Sequence, residues 1–352
     1  MVCSKGAPLE LLNHCSHWLR AGTITPLGPA ERQVVGSAND VMARQGYRVL
    51  AIACRPAHQA VLEEHNLVLL GLVGLYDPPR PGVSQAIAAC HRAGIKVTMV
   101  TGDYGLTAEA IARQIGLLDA PAHAGADPVR VVNGSDLNRL SDAQLRQVLK
   151  FRSRLVFARM APEQKLRLVQ AYRTLGEVVA VTGDGVNDAP ALRAADVGIA
   201  MGRTGTDVAR EAADIVLVDD NFATIVSAVR HGRGVYDNIR RFILYILASN
   251  VAEVAPFITM LLLHIPAALS VLQILAVDLG TDLLPALGLG AEPPQPDVMD
   301  RPPRRRDQPL LDRPLLRQAY LFLGLLEGVL AMLGYGLTWW SHGVTLPALR
   351  AI

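Results

Sequence analysis

The sequence is poor in the residue types that mark several common classes of protein. Aromatic residues make up only 5%, the formal net charge is +2, and no basic stripe is interleaved with aromatics, which argues against a nucleic-acid partner. The four cysteines, at positions 3, 15, 54 and 90, lack CxxC or Cys/His metal spacing and are predicted to be free cytosolic thiols. The first residues lack a charged segment followed by an apolar core, so no signal peptide is predicted, and they read like the interior of a domain.

What the chain has in quantity is apolar residues. Of its 352 residues 51% are hydrophobic and 19% are charged, and the mean hydropathy is +0.26, which is high for a soluble protein. This mixture predicts polar domains joined to membrane spans, and the length suffices for two or three domains.

The polar part begins with 66 residues of mixed short helices and strands and then becomes regular. Lys5 and Arg48 lie there in turn and strand patterns, where each would ordinarily be a surface charge. From Leu67 onward strands alternate with helices, and this alternation predicts an α/β fold with a parallel sheet covered on both faces. The predicted strands are Leu67–Leu75, Ile95–Val100, Val129–Val132, Val156–Ala158, Val178–Val181, Val197–Ala200 and Ile215–Val218.

The stretch 179–190, VAVTGDGVNDAP, combines a buried strand with a sharp acidic turn. Asp184 and Asp188 follow the strand, and ligands bind at the carboxyl ends of strands in open α/β sheets. Mg²⁺ is usually held by one or two carboxylates together with phosphate oxygens and water. The turn therefore predicts a magnesium site, although Gly-Asp-Gly is also ordinary turn chemistry.

Two further segments supply parts of a phosphoryl-transfer site. Thr101 and Gly102 end a strand and offer a hydroxyl and backbone N–H groups to a phosphate. Lys165 lies on a helix predicted over Pro162–Leu175 and can offset charge on a transferring phosphoryl group. A covalent transfer also needs a nucleophile, and no further strand that ends in Asp plus small residues remains to supply it.

The carboxyl-terminal third carries three predicted membrane spans. Residues 243–263, 267–289 and 319–340 each meet the requirement of about 20 apolar residues. Arginines precede the first span and separate the second from the third, so the positive-inside rule predicts that residues 1–240 and 290–317 are cytosolic. The predicted protein is therefore a multi-pass protein of the cell membrane, in contact with lipid.

Polar side chains inside the first two spans predict a cation site. They are Ser249, Asn250 and Glu253 in the first span, and Asp278, Thr281 and Asp282 in the second. An ionised Asp at mid-span costs about 2.5–3.5 kcal/mol, so these carboxylates must be protonated, face a cavity or bind cations. Pro256 and Pro285 also remove helical hydrogen bonds and free carbonyls nearby, which favours an oxygen cage for a hard cation.

Several motifs in this order resemble one family. MVTGD (99–103), FARMAPEQK (157–165) and VTGDGVNDAPAL (181–192), with KGAP (5–8), DPPR (77–80) and MDRPPR (299–304), resemble the P-type cation-transporting ATPases of the haloacid-dehalogenase-like superfamily. The similarity is to the type II branch, the calcium pumps and the sodium/potassium pumps, and to their carboxyl-terminal part. It implies an α/β haloacid-dehalogenase-like cytosolic domain, of Rossmann-like parallel-sheet type and incomplete here, fused to transmembrane helices.

The resemblance also implies roles for particular residues, with ATP and Mg²⁺ as cofactors. It assigns phosphate chemistry to Thr101, Lys165, Asp184 and Asp188, with Asp184 coordinating Mg²⁺. It assigns nucleotide and phosphate binding to Lys5, Gly6, Arg48, Thr101, Gly102, Asp103, Arg159 and Asn187. It assigns the transported cation, Na⁺/K⁺ or Ca²⁺, to Ser249, Asn250, Glu253, Asp278, Thr281 and Asp282.

The sequence departs from the family pattern at one decisive place. The phosphorylated aspartate of the Asp-Lys-Thr-Gly-Thr motif is absent, as are the actuator domain and the first four spans, so we expect this chain alone to form no phosphoenzyme. Residues 1–66 would be the end of a nucleotide-binding domain, 67–235 a phosphorylation domain without its nucleophile strand, and 236–352 a membrane domain. The missing amino-terminal half of the pump is then an expected partner.

Ion identity and activity remain open from the sequence. Asp278 resembles the sodium/potassium pumps, whereas the loop 293–304 is more like that of calcium pumps, and the balance slightly favours a sodium/potassium-like site. The alternatives are a non-catalytic pump remnant and a membrane-anchored phosphatase of the same superfamily. The missing nucleophile and the paired mid-membrane carboxylates weigh against the phosphatase.

Overall fold

The computed structural model describes residues 1–55, 65–118, 131–152, 154–266 and 270–343, without the side chains at 271, 281 and 282. The chain divides into two compact units, Met1–Val226 and Ser227–Ile352.

The first unit begins with a five-stranded mixed sheet. Its strands are β1 (Val2–Gly6), β2 (Cys15–Arg20), β3 (Thr23–Pro26), β4 (Arg48–Arg55) and β5 (Leu67–Leu75), in the order β1-β4-β5-β2-β3. Only β2 and β5 run parallel; the other neighbours are antiparallel. The helices α1 (Pro8–His14) and α2 (Pro29–Arg44) each begin with a proline, whose fixed φ suits the first helical turn. Leu11, Leu12 and Leu67 are buried in one core with the sheet.

The strand β5 corrects one expectation. The sequence predicts Leu67–Leu75 with the right bounds but as the first strand of the parallel sheet, and this placement is wrong. The strand pairs antiparallel with β4, with Arg48 opposite Leu75. A continuous apolar run indicates only that a strand is buried and does not specify its partner; here another largely apolar strand, β4, supplies the neighbour.

A three-stranded parallel sheet follows. Its strands β6 (Thr98–Val100), β7 (Val131–Asn133) and β8 (Leu155–Ala158) lie in the order β6-β8-β7. The helices around it are α3 (Val83–Arg92), α4 (Gly105–Gln114), α5 (Gly134–Arg139), α6 (Asp142–Phe151) and α7 (Pro162–Thr174).

The central strand β8 is buried on both faces. Leu155 and Phe157 pack into one apolar cluster, whereas Val156 and Ala158 pack into another. Because successive side chains of a strand point to opposite faces, this alternation means that helices cover both sides of the sheet.

A second three-stranded parallel sheet completes the first unit. Its strands β9 (Ala180–Gly183), β10 (Val197–Met201) and β11 (Ile215–Leu217) lie in the order β11-β10-β9, with the helices α8 (Ala189–Ala194) and α9 (Asp207–Ala212). The predicted class, α/β with parallel strands, is confirmed. The expected single sheet, however, is divided into two among the described residues.

The strands β6 and β9 are each at an edge of their sheets. Lys96, just before β6, and Glu177, just before β9, form an ion pair with Nζ and Oε1 2.8 Å apart. The two strand starts are therefore held close together. Within the part of the chain that the structure describes, no strand lies between them. Strands β6 and β9 therefore each have an edge whose backbone N–H and C=O groups can pair with another strand.

The second unit is helical. The helix α10 (Phe222–Leu263) begins in the first unit and continues into this one, and it is followed by α11 (Val271–Val277) and α12 (Leu283–Gly290), which a π-helical turn over Asp278–Asp282 connects. A short 3₁₀ turn over Pro296–Met299 follows, then α13 (Arg313–Arg317), a π-helical segment over Gln318–Gly324 and α14 (Leu325–Ser341). Three helical stretches, 222–263, 272–290 and 313–341, are long and apolar enough to cross a membrane, which confirms the prediction of three spans.

The arginines used to predict orientation also bind the loop between the second and third spans. Arg233 donates to the carbonyl oxygen of Arg301 at 2.8 Å, and Arg240 forms an ion pair with Asp312 at 2.9 Å. These contacts attach the loop to the amino-terminal half of α10, since a guanidinium can donate to carbonyl and carboxylate oxygens in a fixed geometry.

Candidate functional site

The loop after β9 is organised around the carboxylate of Asp188. One oxygen accepts a hydrogen bond from Lys165 Nζ at 2.6 Å, and the other accepts from the backbone N–H groups of Asp184 and Gly185 at 3.3 and 3.1 Å. The Lys165 and Asp188 side chains are 20% and 14% exposed. Asp188 is thus fully engaged in shaping the turn and holding Lys165 beside it.

This arrangement requires glycine at position 183. A Cβ atom there would lie 2.5 Å from Cβ of Asp188 and 2.9 Å from its Cγ. Such contacts are far below van der Waals distance, so any larger residue would displace the Asp188 side chain. The Thr-Gly-Asp order at the end of β9 therefore has a steric cause.

The remaining acidic side chain of the turn, Asp184, is exposed, as is Asn187. The described residues contain no group of three or more His, Cys, Asp or Glu side chains that could hold a metal by themselves. One accessible carboxylate beside a second, engaged one fits Mg²⁺, which keeps several waters and takes phosphate oxygens as ligands. The donor set of this turn is therefore compatible with the predicted metal.

The end of β6 forms a second polar turn. The Thr101 hydroxyl donates to Asp103 Oδ2 and accepts from the Asp103 backbone N–H, both at 3.1 Å. The Thr101 carbonyl oxygen also accepts from the N–H of Met160. The structure thus brings Thr101 together with Asp103, and it joins this turn to the segment that precedes Lys165.

A cavity of about 490 Å³ opens beside this turn. Four of the predicted nucleotide-binding residues line it: Arg48, Gly102, Asp103 and Arg159. Arg48 and Asp103 approach to 3.9 Å within it. Its volume lies in the range of small-molecule and cofactor sites.

Lys5 and Gly6 lie near this cavity but not in its wall. They end strand β1, opposite Ile52 and Ala51 of β4, and the two residues that follow them, Ala7 and Pro8, line the cavity. Lys5 is exposed. The predicted residues thus fall into a cavity group around Arg48 and a turn group around Asp188.

Two residues at this site, Tyr104 and its hydrogen-bond partner Asp40, were not found from the sequence. Tyr104 lines the cavity, and its hydroxyl donates to Asp40 on α2 at 3.1 Å. The guanidinium carbon of Arg159 lies 4.8 Å from the centre of the Tyr104 ring. The position of Tyr104 directly after Thr-Gly-Asp was the only signal for it, whereas Asp40 gave none because it precedes Tyr104 by 64 residues.

A third acidic residue, Asp220, fastens the end of the second parallel sheet. It is 3% exposed, has a left-handed φ of 53°, and accepts from the backbone N–H groups of Arg203 and Thr204 and from the Thr204 hydroxyl. The backbone hydrogen bond from Arg203, first, and those from Thr204 lower the pKa of Asp220 from 3.8 to about 2. Asp220 stays ionised at neutral pH as a structural acceptor.

In the membrane unit, Glu253 lines an apolar cavity of about 320 Å³. Pro256 on the same helix and Val277 on the second span also line it. Ser249 has an interaction partner, and Asn250 is exposed. Glu253 is thus placed beside a cavity next to the second span.

Asp278 has a buried carboxylate oxygen, Oδ1, without a hydrogen-bond partner among the described residues. It is the first residue of the π-helical turn Asp278–Asp282, and that turn ends three residues before Pro285. Single π-helical turns inside α-helices occur frequently at functional sites. An orphaned buried acceptor on such a turn fits a cation ligand. The side chains of Thr281 and Asp282 lie outside the described residues.

Comparison with known proteins agrees with both halves. Residues 27–196 match the family model of haloacid dehalogenase-like hydrolases, and residues 266–352 match that of the cation transporting ATPase C-terminus. The chain is 43% identical over 339 residues to a calcium-transporting ATPase of Bacillus subtilis (strain 168), covering 95% of this chain and 37% of that protein. It is 39% identical over 366 residues to sodium/potassium-transporting ATPase subunit alpha-4 of Rattus norvegicus, covering 95% of this chain and 36% of that protein.

These matches confirm the resemblance based on the motifs, the haloacid-dehalogenase-like fold and the membrane location. The chain spans little more than a third of the length of the curated relatives that it matches. With a haloacid-dehalogenase-like cytosolic part and three candidate membrane helices, it belongs to the P-type cation-transporting ATPases.

Proposed function

We propose that this chain contributes the nucleotide and magnesium–phosphate site, and part of the intramembrane cation site, of an ATP-driven cation pump. The observation that supports this most directly is the contact of Lys165 with Asp188 beside the exposed Asp184, in a loop that follows a parallel strand. A cation and two carboxylates at the carboxyl end of a parallel strand are suited to phosphoryl transfer.

Each residue of the site has a chemical task in this proposal. Lys165 offsets the negative charge of a phosphoryl group, and Asp188 fixes the position of the Lys165 ammonium group. Thr101 and Gly102 offer hydrogen-bond donors to phosphate oxygens, and Arg48 and Arg159 bind the nucleotide. Asp184 would hold Mg²⁺, which when bound supplies Lewis-acid polarisation of phosphate oxygens.

The Asp-Lys-Thr-Gly-Thr motif does not occur in these 352 residues. We propose that it is carried by a strand of the amino-terminal part of the pump, which adds in parallel between β6 and β9. Among the described residues β6 and β9 each have one edge without a neighbouring strand, and the ion pair Lys96–Glu177 holds their starts together. A strand placed there would present its carboxyl end near Thr101 and Lys165.

Phosphorylation tests this proposal. The purified 352-residue chain, incubated with Mg²⁺ and γ-³²P-labelled ATP, should show no acid-stable label. Co-expression with an amino-terminal part carrying Asp-Lys-Thr-Gly-Thr should restore labelling, and Lys165→Met should greatly reduce it. Labelling of the chain alone that disappears in Asp184→Ala would contradict the need for a second segment and favour a phosphatase-like nucleophile within the chain.

A non-catalytic remnant of such a pump is the second candidate. It predicts that no amino-terminal segment restores labelling, although the chain inserts in membranes.

For the transported cation we propose a sodium/potassium-like site, because Asp278 takes the place where calcium pumps have Asn. The relatives include both kinds of pump at similar identity, so the choice depends on that residue. Protection of the complemented pump from proteolysis should be greater with Na⁺ or K⁺ than with Ca²⁺. The reverse order would assign the site to Ca²⁺.

A further inference from the structure

Tyr104 joins three parts of the nucleotide cavity. It is the N-cap residue of α4, directly after Asp103. Its hydroxyl donates to Asp40 Oδ1 of α2 at 3.1 Å, and α2 contributes Asn39 and Ala43 to the cavity wall. The ring is therefore held between the five-stranded sheet's helix and the turn at the end of β6.

Arg159 lies over the ring of Tyr104. Its backbone has a left-handed φ of 52°, unusual for a residue with a side chain, and its N–H donates to the Asp103 carbonyl oxygen at 3.0 Å. Strained conformations of this kind persist where the surrounding structure fixes them, and they cluster at ligand sites. The conformation places the guanidinium over the Tyr104 ring at 4.8 Å.

Stacking on a ring differs from pairing with a carboxylate. Among the described residues Arg159 has no carboxylate partner, whereas Arg48 has Asp103. A guanidinium that lies over an aromatic face is held by the ring quadrupole, and its N–H donors remain available in its plane. Arg159 therefore keeps an uncompensated positive charge and a free donor fork, which suit an anionic phosphate.

The phenol is suited to this holding role at neutral pH. Burial, first, and then the hydrogen bond to Asp40 raise the pKa of Tyr104 above its ordinary value. The hydroxyl thus stays protonated and continues to donate to Asp40, so the ring keeps its orientation.

We propose that Tyr104 is a positioning residue that holds Arg159 for the phosphates of a bound nucleoside triphosphate, with Asp40 fixing the ring. This rests on the proposed nucleotide site and names a residue that the motifs do not assign. Tyr104 acts through Arg159 and need not touch the nucleotide.

The test uses the full chain purified in detergent and a fluorescent trinitrophenyl derivative of ATP, displaced by unlabelled ATP, ADP or adenosine. Tyr104→Leu removes the ring and should weaken ATP binding about 5- to 30-fold, the range expected for a cation–π contact. Tyr104→Phe keeps the ring and should restore most of the affinity, with about a threefold loss. Adenosine binding should change little in either variant, since the effect passes through a phosphate-binding arginine.

A double-mutant cycle separates positioning from general packing. If Tyr104 acts through Arg159, Tyr104→Leu should have little further effect in an Arg159→Ala background. Additive losses, equal losses for adenosine and ATP, or full ATP affinity in Tyr104→Leu would each overturn the proposal. If the Arg48→Ala and Arg159→Ala variants each bind ATP as tightly as the wild-type chain, the nucleotide site itself is contradicted. The charge-matched control is Arg193→Ala, at an exposed position of α8.

Discussion

Lys165 Nζ lies 2.6 Å from Asp188 Oδ1, and this contact joins α7 to the loop after β9. Helix α7 packs on the first parallel sheet, whereas the loop belongs to the end of the second. The ion pair therefore connects the helix that covers the first parallel sheet to the carboxyl end of strand β9 in the second.

Removing Lys165 should destabilise the cytosolic unit. Lys165→Met leaves a largely buried carboxylate without its cation, and a hydrogen bond to a charged group contributes about 1.5–3 kcal/mol. The melting temperature should fall by roughly 3–10 °C in a thermal scan of the full chain. Lys96→Met is the matched control: the Lys96–Glu177 distance is 2.8 Å, close to the 2.6 Å of Lys165–Asp188, but both side chains are about 40% exposed, and exposed ion pairs contribute about 0–1 kcal/mol. An equal fall in melting temperature in both variants would contradict the larger stabilising role given to the Lys165–Asp188 pair.

Gly183→Ala should displace Asp188. The new Cβ would meet the Asp188 side chain at 2.5 Å, and overpacking of this kind costs about 1–3 kcal/mol. At Gly185, two residues away, a Cβ meets Asp188 Oδ2 at 3.4 Å, an ordinary contact. Gly185→Ala should therefore leave the melting temperature nearly unchanged and Gly183→Ala should lower it. Indistinguishable melting curves would mean that Asp188 can move without cost.

Asp220 should contribute to the acid sensitivity of the protein. Its folded pKa, about 2, lies below the ordinary 3.8, so the stabilisation is present above about pH 4 and is lost as the pH falls through 2. Asp220→Asn tolerates the left-handed backbone but cannot accept as a charge. We expect lower stability at pH 7 and a flatter pH dependence between about 4 and 2.

The control for that substitution is Asp207→Asn, which removes a carboxylate whose side chain is 87% exposed. Thermal melting at a series of pH values should leave this variant close to wild type. A pH dependence of Asp220→Asn parallel to that of the wild type would assign the acid transition to other carboxylates.

Asp278 should be required for cation binding in the membrane unit. Its buried Oδ1 has no hydrogen-bond partner among the described residues, and a hard cation would satisfy it. In the complemented, reconstituted pump, Asp278→Asn should abolish the protection from proteolysis given by Na⁺ or K⁺, as should Asp282→Ala. Glu327→Gln, at an exposed position of the third span, should retain protection. Undiminished protection in Asp278→Asn would remove this carboxylate from the site.

The sequence predicted local structure well where a single physical rule decided it. Pro162 starts α7 because its fixed φ suits the first turn, and that helix ends within one residue of the predicted end. The three membrane spans follow from the length of their apolar runs. In contrast, the partner of β5 and the contact of Tyr104 with Asp40 could not be predicted, since they join segments that are distant in the chain.

The sequence by itself therefore determined the parts: which strands carry Thr101 and Asp184 at their ends, which helix carries Lys165, and which spans carry carboxylates. These depend on local periodicity, turn residues and the cost of charge in lipid. Only the tertiary structure decided that Asp188 is engaged by Lys165 while Asp184 stays exposed, and that the Arg159 guanidinium lies over the Tyr104 ring. It also decided that the parallel strands of the described residues form two sheets. Such relationships depend on packing between distant segments, which no local pattern specifies.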